Sequence, residues 1–354
     1  MVNKVFVADI KCLLPELFTT EEAIDAIYLK EIDNGRINRF AKRVSNSVGI
    51  KYRPSVLDRK AFPQKVLADP SYHPLSWGNE IVRNLLNDLQ KEDVGFLSVS
   101  YNIRSDKDVL PSLASKISTE NGLNLDYPPE EIPYLGCAAS LFSIESAVKY
   151  CKNHNRAAII FIFDQCSWIA NPTYDMENPD FKENLKTTLL FADGAAGLLI
   201  IPESLKNRFE LPLMEIDNIR TAFKAGGSLK MADGKLVLEE NLKDIMPEIV
   251  RDMIIKPMNI DKNEISEWSL HQGGMPILMR FTEPEIFGLS EKQIARSKEL
   301  FLKYGNFSSP SALFVLESFF NENQRAEKNE TVKGAMISFG AGYFMGGMVY
   351  HWEK

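Results

Sequence analysis

Two stretches of this chain follow one plan. In the first, VGFLSVSYN (94–102) leads to YLGCAASLFSIESA (134–147) and then to LLFADGAAGLLII (189–201). In the second, EWSLHQGG (267–274) leads to KYGNFSSPSALFVLES (303–318) and then to AMISFGAGYFMGGMVY (335–350). Each stretch holds an apolar strand, a helix of small residues opening at Gly-Cys or Gly-Asn, and glycine- and alanine-rich strand sequence. A repeated unit of this size implies two similar halves that bury their apolar faces against each other. The division falls near residue 205, giving halves 1–205 and 206–354.

The intervening sequence fits that plan. Strands are expected at Lys4–Ile10, Val94–Ser100, Ala157–Asp164 and Ala195–Ile201. The middle two are unbroken apolar runs, as in a sheet covered on both faces. Helices are expected near Ser76–Gln90 and from Cys137 to Asn153. Thr19-Thr20-Glu21-Glu22 has the hydroxyl-then-acid pattern of a helix start. The second half continues with a strand near Phe209–Ile216, a helix through Asn241–Ile255 and a strand at Glu267–His271. Helices follow at Glu291–Tyr304 and beyond Asn306, and strands near Gly334–Phe339 and Tyr343–Trp352 close the sequence. The alternation predicts layered α/β architecture.

Composition narrows the function classes. With 354 residues, 45% of them hydrophobic, the chain can build its core without disulfides or a structural metal. The formal charge of −7 is spread along the sequence, with no basic arm for nucleic acid. No apolar run reaches the length of a membrane span. Asp9 and Lys11 break the N-terminal apolar stretch, which reads as a strand rather than a signal peptide. The cysteines 12, 137, 151 and 166 form no metal-binding spacing, and a reduced, cytoplasmic setting is expected.

Three residues could carry chemistry. Cys137 follows Gly136 and precedes Ala138 and Ala139. A thiol at a helix start feels the positive end of the helix dipole, which favours the thiolate. The alternative is a small buried hydrophobe. His271 ends an apolar strand and runs into Gly273 and Gly274, which leave room beside it for a ligand, although a core histidine would look the same. Asn306 follows Gly305 and precedes Ser308, Ser309 and Ser311, where an asparagine can equally serve as a helix cap. Each of the three lies at a glycine-marked junction, and Cys137 and Asn306 fall at equivalent places in the repeat.

With those residues in view, the sequence resembles the thiolase-fold condensing enzymes. It is similar to the branch holding ketoacyl-ACP synthase III and the chalcone-synthase-like type III polyketide synthases. The resemblance rests on LGCAASLFSIESA, LLFADGAAGLLI, WSLHQGGMPIL and KYGNFSSPSALFVLE. NLKDIMPEIV (241–250) and the SFGAG turn (338–342) look like the chalcone-synthase side, and VGIKYR (48–53) adds a weak N-terminal match. The chain departs from the family at Ala192, where glycine is usual, and at Gly340-Ala341-Gly342, where ketoacyl synthase III has three glycines. Gly274 and Pro276 replace that branch's asparagine and arginine, which puts carrier-protein docking in question.

The resemblance implies a five-layer αβαβα fold built from two duplicated βαβαβαββ halves. It also implies a ketosynthase of fatty-acid or polyketide biosynthesis. Cys137 would take an acyl group from acyl-CoA or acyl carrier protein. His271 and Asn306 would hold a malonyl-type thioester while it loses CO₂ and attacks. Backbone N–H groups of Cys137 and Ala341 would form the oxyanion hole. Tyr174, Phe339, Gly273 and Gly274 would border the substrate. No cofactor or metal is implied, and the family is usually homodimeric. A non-decarboxylative condensing enzyme or acyltransferase of the same fold is the alternative. The order Cys, His, Asn also occurs in papain-like hydrolases, a remoter one.

Overall fold

The computed structural model describes residues 3–86, 89–209, 212–227, 229–232, 235–238, 241–324 and 332–353. Its strands are β1 (Val5–Leu13), β2 (Leu17–Thr19), β3 (Tyr52–Pro54), β4 (Val94–Tyr101), β5 (Glu130–Pro133), β6 (Ala157–Gln165) and β7 (Asp193–Pro202). The second half supplies β8 (Met214–Phe223), β9 (Leu229–Ala232), β10 (Lys235–Leu238), β11 (Glu267–Leu270), β12 (Lys333–Gly340) and β13 (Phe344–Trp352). The α-helices are α1 (Thr20–Ile27), α2 (Arg36–Val48), α3 (Pro74–Leu85), α4 (Leu113–Asn121), α5 (Ala139–Asn153) and α6 (Phe181–Leu190). They continue with α7 (Leu242–Val250), α8 (Met275–Arg280), α9 (Glu291–Tyr304) and α10 (Ser311–Asn323).

Nine strands share one hydrogen-bonded sheet in the order β11-β12-β13-β8-β1-β7-β6-β4-β5. The order reads as two similar arms. In the first, β1 and β7 are antiparallel, β7 and β6 are antiparallel, and β6, β4 and β5 are parallel. In the second, β8 and β13 are antiparallel, β13 and β12 are antiparallel, and β12 and β11 are parallel. Among the described residues, the strand pairing between the arms is Phe6 with Glu215 and Val7 with Met214.

Helices fill the space inside and outside the arms. Leu141 and Ile144 of α5, and Leu313 and Leu316 of α10, share one core with Ile160 and Leu198 of the first arm and Met336 and Met348 of the second. On the far side of the first arm, Ile81 of α3 and Ile117 of α4 pack on Val99, Phe161 and Leu199. On the far side of the second, Met246 of α7, Leu278 of α8 and Ile294 of α9 pack on Trp268, Ile337 and Met345. The result is helix, sheet, helix, sheet, helix.

Local expectations met the structure unevenly. Thr19 caps α1 with a reciprocal bond to Glu22, as the hydroxyl-acid pattern predicts. The strand expected at Phe209–Ile216 instead runs from Met214 to Phe223. Pro212 has no N–H to give a ladder, so pairing with β13 begins beyond it. The helix expected near Ser76–Gln90 begins with Pro74 in its first turn and ends at Leu85, and residues 87–88 lie outside the described set. No helix among the described residues is long and apolar enough to cross a membrane.

Candidate active site

Cys137 sits in a short 3₁₀ turn, Gly136–Ala138, and not in the regular helix, which starts at Ala139. The cause is close backbone packing. Gly136 has φ +59°, and a side chain on it would meet the backbone nitrogen of Ala341 at 2.4 Å. A side chain on Gly340 would meet the backbone nitrogen of Cys137 at 2.3 Å. The turn after β12 therefore crosses directly over the cysteine turn. Ser338 secures the crossing by donating its hydroxyl to the Cys137 carbonyl at 2.5 Å. We expect Gly340→Ala to cost about 1–3 kcal/mol, because the clashing atom is backbone and must move. Thermal melting beside an acylation assay checks this, and a fully stable, fully active variant contradicts it.

Asn306 reaches the same place from the other half. Its backbone bridges to Phe191: Asn306 N–H donates to Leu190, and Ala192 N–H donates to Asn306. Its side-chain oxygen accepts from Ser308 N–H at 2.7 Å and from the Ser311 hydroxyl at 3.1 Å. A backbone N–H can only donate, so the amide orientation is fixed and Nδ2 faces the Gly273 carbonyl at 3.3 Å. Asn306 thus holds its own turn with oxygen and presents nitrogen.

His271 extends β11 by one bond, N–H to Ile337 at 2.8 Å, and its ring stands edge-on to Phe339 at 5.1 Å. It is almost fully buried, and Nδ1 has no hydrogen-bond partner among the described residues. Burial pulls the imidazole down to about 3, so it is neutral at physiological pH.

Cys137, His271 and Asn306 line one small cavity of about 40 Å³, with Gly273, Phe339 and Gly340. Cys137 thereby meets His271 and Asn306, which lie 134 and 169 positions further along the sequence, across the two arms of the sheet. The Cys137 thiol lies 3.4 Å from the Ser308 hydroxyl. Burial pushes this thiol up to about 12, outweighing the lowering by Ser308. Burial thus opposes the dipole-lowered thiol expected from the sequence.

Two substrate-side expectations are corrected. Tyr174 does not line the cavity. Its hydroxyl donates to the Ile27 carbonyl at 2.6 Å, and its ring packs against Tyr28 in the cluster formed by α1, α2 and α6. The phenylalanines at the cavity are Phe191 and Phe339. Gly274 is also absent from the lining; it caps α8, whereas Gly273 does line the cavity, with φ +61° and a tight fit for any side chain, which would meet Ile277 at 3.1 Å and Phe339 at 3.2 Å. Ala341 does not line the cavity either, though its backbone nitrogen lies against Gly136 and hence beside Cys137.

Sequence reading missed Leu190, Phe191, Leu242, Met246 and Ile277, which complete the walls. It also missed Asp164. This fully buried carboxylate at the end of β6 accepts from Asn102 N–H at 2.7 Å, Ile103 N–H at 2.8 Å and Ser309 N–H at 3.0 Å. The Ser309 hydroxyl adds a bond at 2.6 Å. Asn102 in turn donates to Asp164 at 3.0 Å and to the Gly136 carbonyl at 3.1 Å. An aspartate closing the apolar run FIFD was the available signal, since an acid there needs several donors.

Residues 226–352 match the family described as chalcone and stilbene synthases, C-terminal domain. A Bacillus subtilis protein named "Putative chalcone synthase" is 25% identical over 272 residues, 69% of this chain and 67% of that protein. The "Alpha-pyrone synthesis polyketide synthase-like Pks18" of Mycobacterium tuberculosis is 24% identical over 260 residues, 68% of this chain and 62% of that protein. The crystal structure of PKS-I from the brown alga Ectocarpus siliculosus superposes with a TM-score of 0.78 at 20% identity, covering 100% of this chain and 99% of that one. The chain has the thiolase fold of that polyketide synthase, and its residues 226–352 are similar to chalcone and stilbene synthases. The chain also superposes on the C-terminal type III polyketide synthase domain of Steely1 from Dictyostelium, with a TM-score of 0.71 at 19% identity, covering 98% and 99% of the two chains. The matched stretches span about two thirds of the bacterial relatives' length.

Proposed function

We propose that this chain is a ketosynthase of polyketide biosynthesis that joins a Cys137-bound acyl group to a malonyl-type thioester with loss of CO₂. The observation that carries this reading is the shared cavity of Cys137, His271 and Asn306. The Cys137 sulfur attacks the carbonyl of an acyl-CoA, CoA leaves as its thiol, and an enzyme thioester remains. A neutral His271, with its proton on Nε2, and the Asn306 amide donate hydrogen bonds to the malonyl thioester oxygen. Those bonds strengthen as CO₂ departs and negative charge builds on that oxygen. The resulting enolate carbon attacks the acyl carbonyl, and Cys137 leaves as thiolate. N–H groups of Cys137 and Ala341, held together by the crossing turns, would stabilise the tetrahedral oxyanion. None of these steps calls for a metal or redox cofactor.

CoA thioesters are the proposed donors, since Pro276 stands where ketoacyl synthase III has the arginine that helps carrier-protein docking. A homodimer in the cytoplasm is the corresponding proposal for assembly and location, on family grounds. Intact-mass measurement after incubation with an acyl-CoA tests the loading step, and release of labelled CO₂ from malonyl-CoA tests the second. An adduct without CO₂ release would favour a plain acyltransferase.

His271 also fixes a pH expectation. Its pKa is depressed to about 3, so it stays neutral above that value. Malonyl decarboxylation should therefore show no step near the ordinary histidine value of about 6.5 between pH 5 and 8. Stopped-flow or radiometric rates across that range decide the point; a sigmoidal change centred near 6.5 contradicts a neutral-donor role.

A further inference from the structure

A second cavity, of about 60 Å³, lies behind Phe191. Phe191 lines both cavities and so forms the partition between them. Cys166 also lines the second one. Phe18, Leu57, Phe62 and Ala170 make most of the wall apolar.

Arg53 breaks that apolar lining. It is only 4% exposed. Nη1 donates to the Phe191 carbonyl at 3.2 Å. Nε and Nη2 have no acceptor among the described residues, and no acid among them pairs with this guanidinium. Burial lowers Arg53 to about 9, which still leaves it charged at neutral pH. A buried, unpaired cation is costly, and an anion placed beside it recovers much of that cost. The neighbouring hydroxyls are already committed: Ser167 to Asp193, Thr187 to the Glu183 carbonyl and Thr188 to the Asn184 carbonyl. The vacant donors are the two on one edge of the guanidinium, the edge that matches both oxygens of a carboxylate. Arg59, stacked over the Phe18 ring at 3.5 Å, adds a second positive charge to the lining.

We propose that the cavity behind Phe191 receives the far end of the acyl group carried by Cys137, and that Arg53 binds a terminal carboxylate there. The preferred starter is then an acyl thioester with a carboxylate at the end opposite its carbonyl. The proposal rests on the condensing-enzyme reading of Cys137. The space suits a carboxylate and one or two methylenes, since a water needs roughly 10–15 Å³ of such volume. The apolar wall would meet the methylenes.

The test compares loading of adipoyl-CoA and hexanoyl-CoA, equal in carbon count and different in the terminal carboxylate. Intact mass reports the adduct on Cys137, and time courses give kcat/KM. Wild type should prefer adipoyl by about tenfold or more. Arg53→Met should remove that preference, and Ala170→Leu should slow both six-carbon groups relative to acetyl by filling the cavity without touching the arginine. If Arg53→Met does not fold, Ala170→Leu and competition by free adipate against adipoyl loading in wild type serve instead. Equal or better loading of hexanoyl by wild type overturns the proposal. So does free adipate that raises the melting temperature without slowing adipoyl loading, because the anion would then sit off the acyl path. Failure of every acyl-CoA, acetyl included, to modify Cys137 overturns the condensing reading itself, whereas acetyl or hexanoyl loading without adipoyl preference sinks only the Arg53 assignment.

Discussion

Cys137→Ala leaves no acyl adduct after incubation with any acyl-CoA, and condensation falls by on the order of 10⁴-fold or more. The variant should fold normally. The lost sulfur makes one 3.4 Å contact with Ser308, and the Cys137 carbonyl that anchors the turn to Ser338 is backbone and survives. Malonyl decarboxylation should persist in the variant, because its hydrogen-bond donors are His271 and Asn306. Paired measurements of adduct mass, product formation and CO₂ release separate the two half-reactions. Undiminished product formation would move the nucleophile elsewhere and remove the basis of the proposed function.

Asp164→Ala should be the most destabilising of the substitutions considered, by about 3–5 kcal/mol. Burial already pushes this carboxyl above the usual range, against the lowering effect of Ser309 and Asn102. Removing it strands the Asn102, Ile103 and Ser309 N–H groups in the interior. Those three segments flank Gly136, Cys137 and Ser308, so acyl loading should fall together with stability. Denaturant unfolding monitored by circular dichroism gives the free energy directly. A loss under about 1 kcal/mol would mean that water or a shifted backbone satisfies the donors, contrary to the role assigned to the carboxylate.

The three chemistry-bearing positions were legible because glycine marks each of them. Gly136, Gly273 and Gly305 all take positive φ. They are positions where the backbone must turn tightly beside another strand or a ligand, and sequence displays that requirement directly. The layered fold was legible for a related reason: β4 and β6 read as short apolar runs, and both are buried on almost every residue, as in a covered sheet. The walls of the cavity were not legible. Phe191 ends an apolar run, and Met246 and Ile277 lie on ordinary amphipathic helices, so nothing local separates a cavity-facing side chain from a core one. Tyr174 shows the converse error, an aromatic assigned to the cavity by rough alignment that instead closes a helix cluster through its hydroxyl. The thiol's proton affinity was beyond reach too. Helix-start position argues one way and burial the other, and burial depends on how Gly340 and Gly136 interlock.

The narrow seam between β1 and β8 has a wider meaning. The proposed nucleophile belongs to one arm of the sheet and the two proposed hydrogen-bond donors to the other, so under that mechanism neither arm alone could run a complete turnover. Ancestrally, such a doubled scaffold would have offered two equivalent stations at its centre. Drift at one toward sulfur and at the other toward an amide would turn a symmetric junction into a directional one, with a carrier side and a decarboxylating side facing across the join.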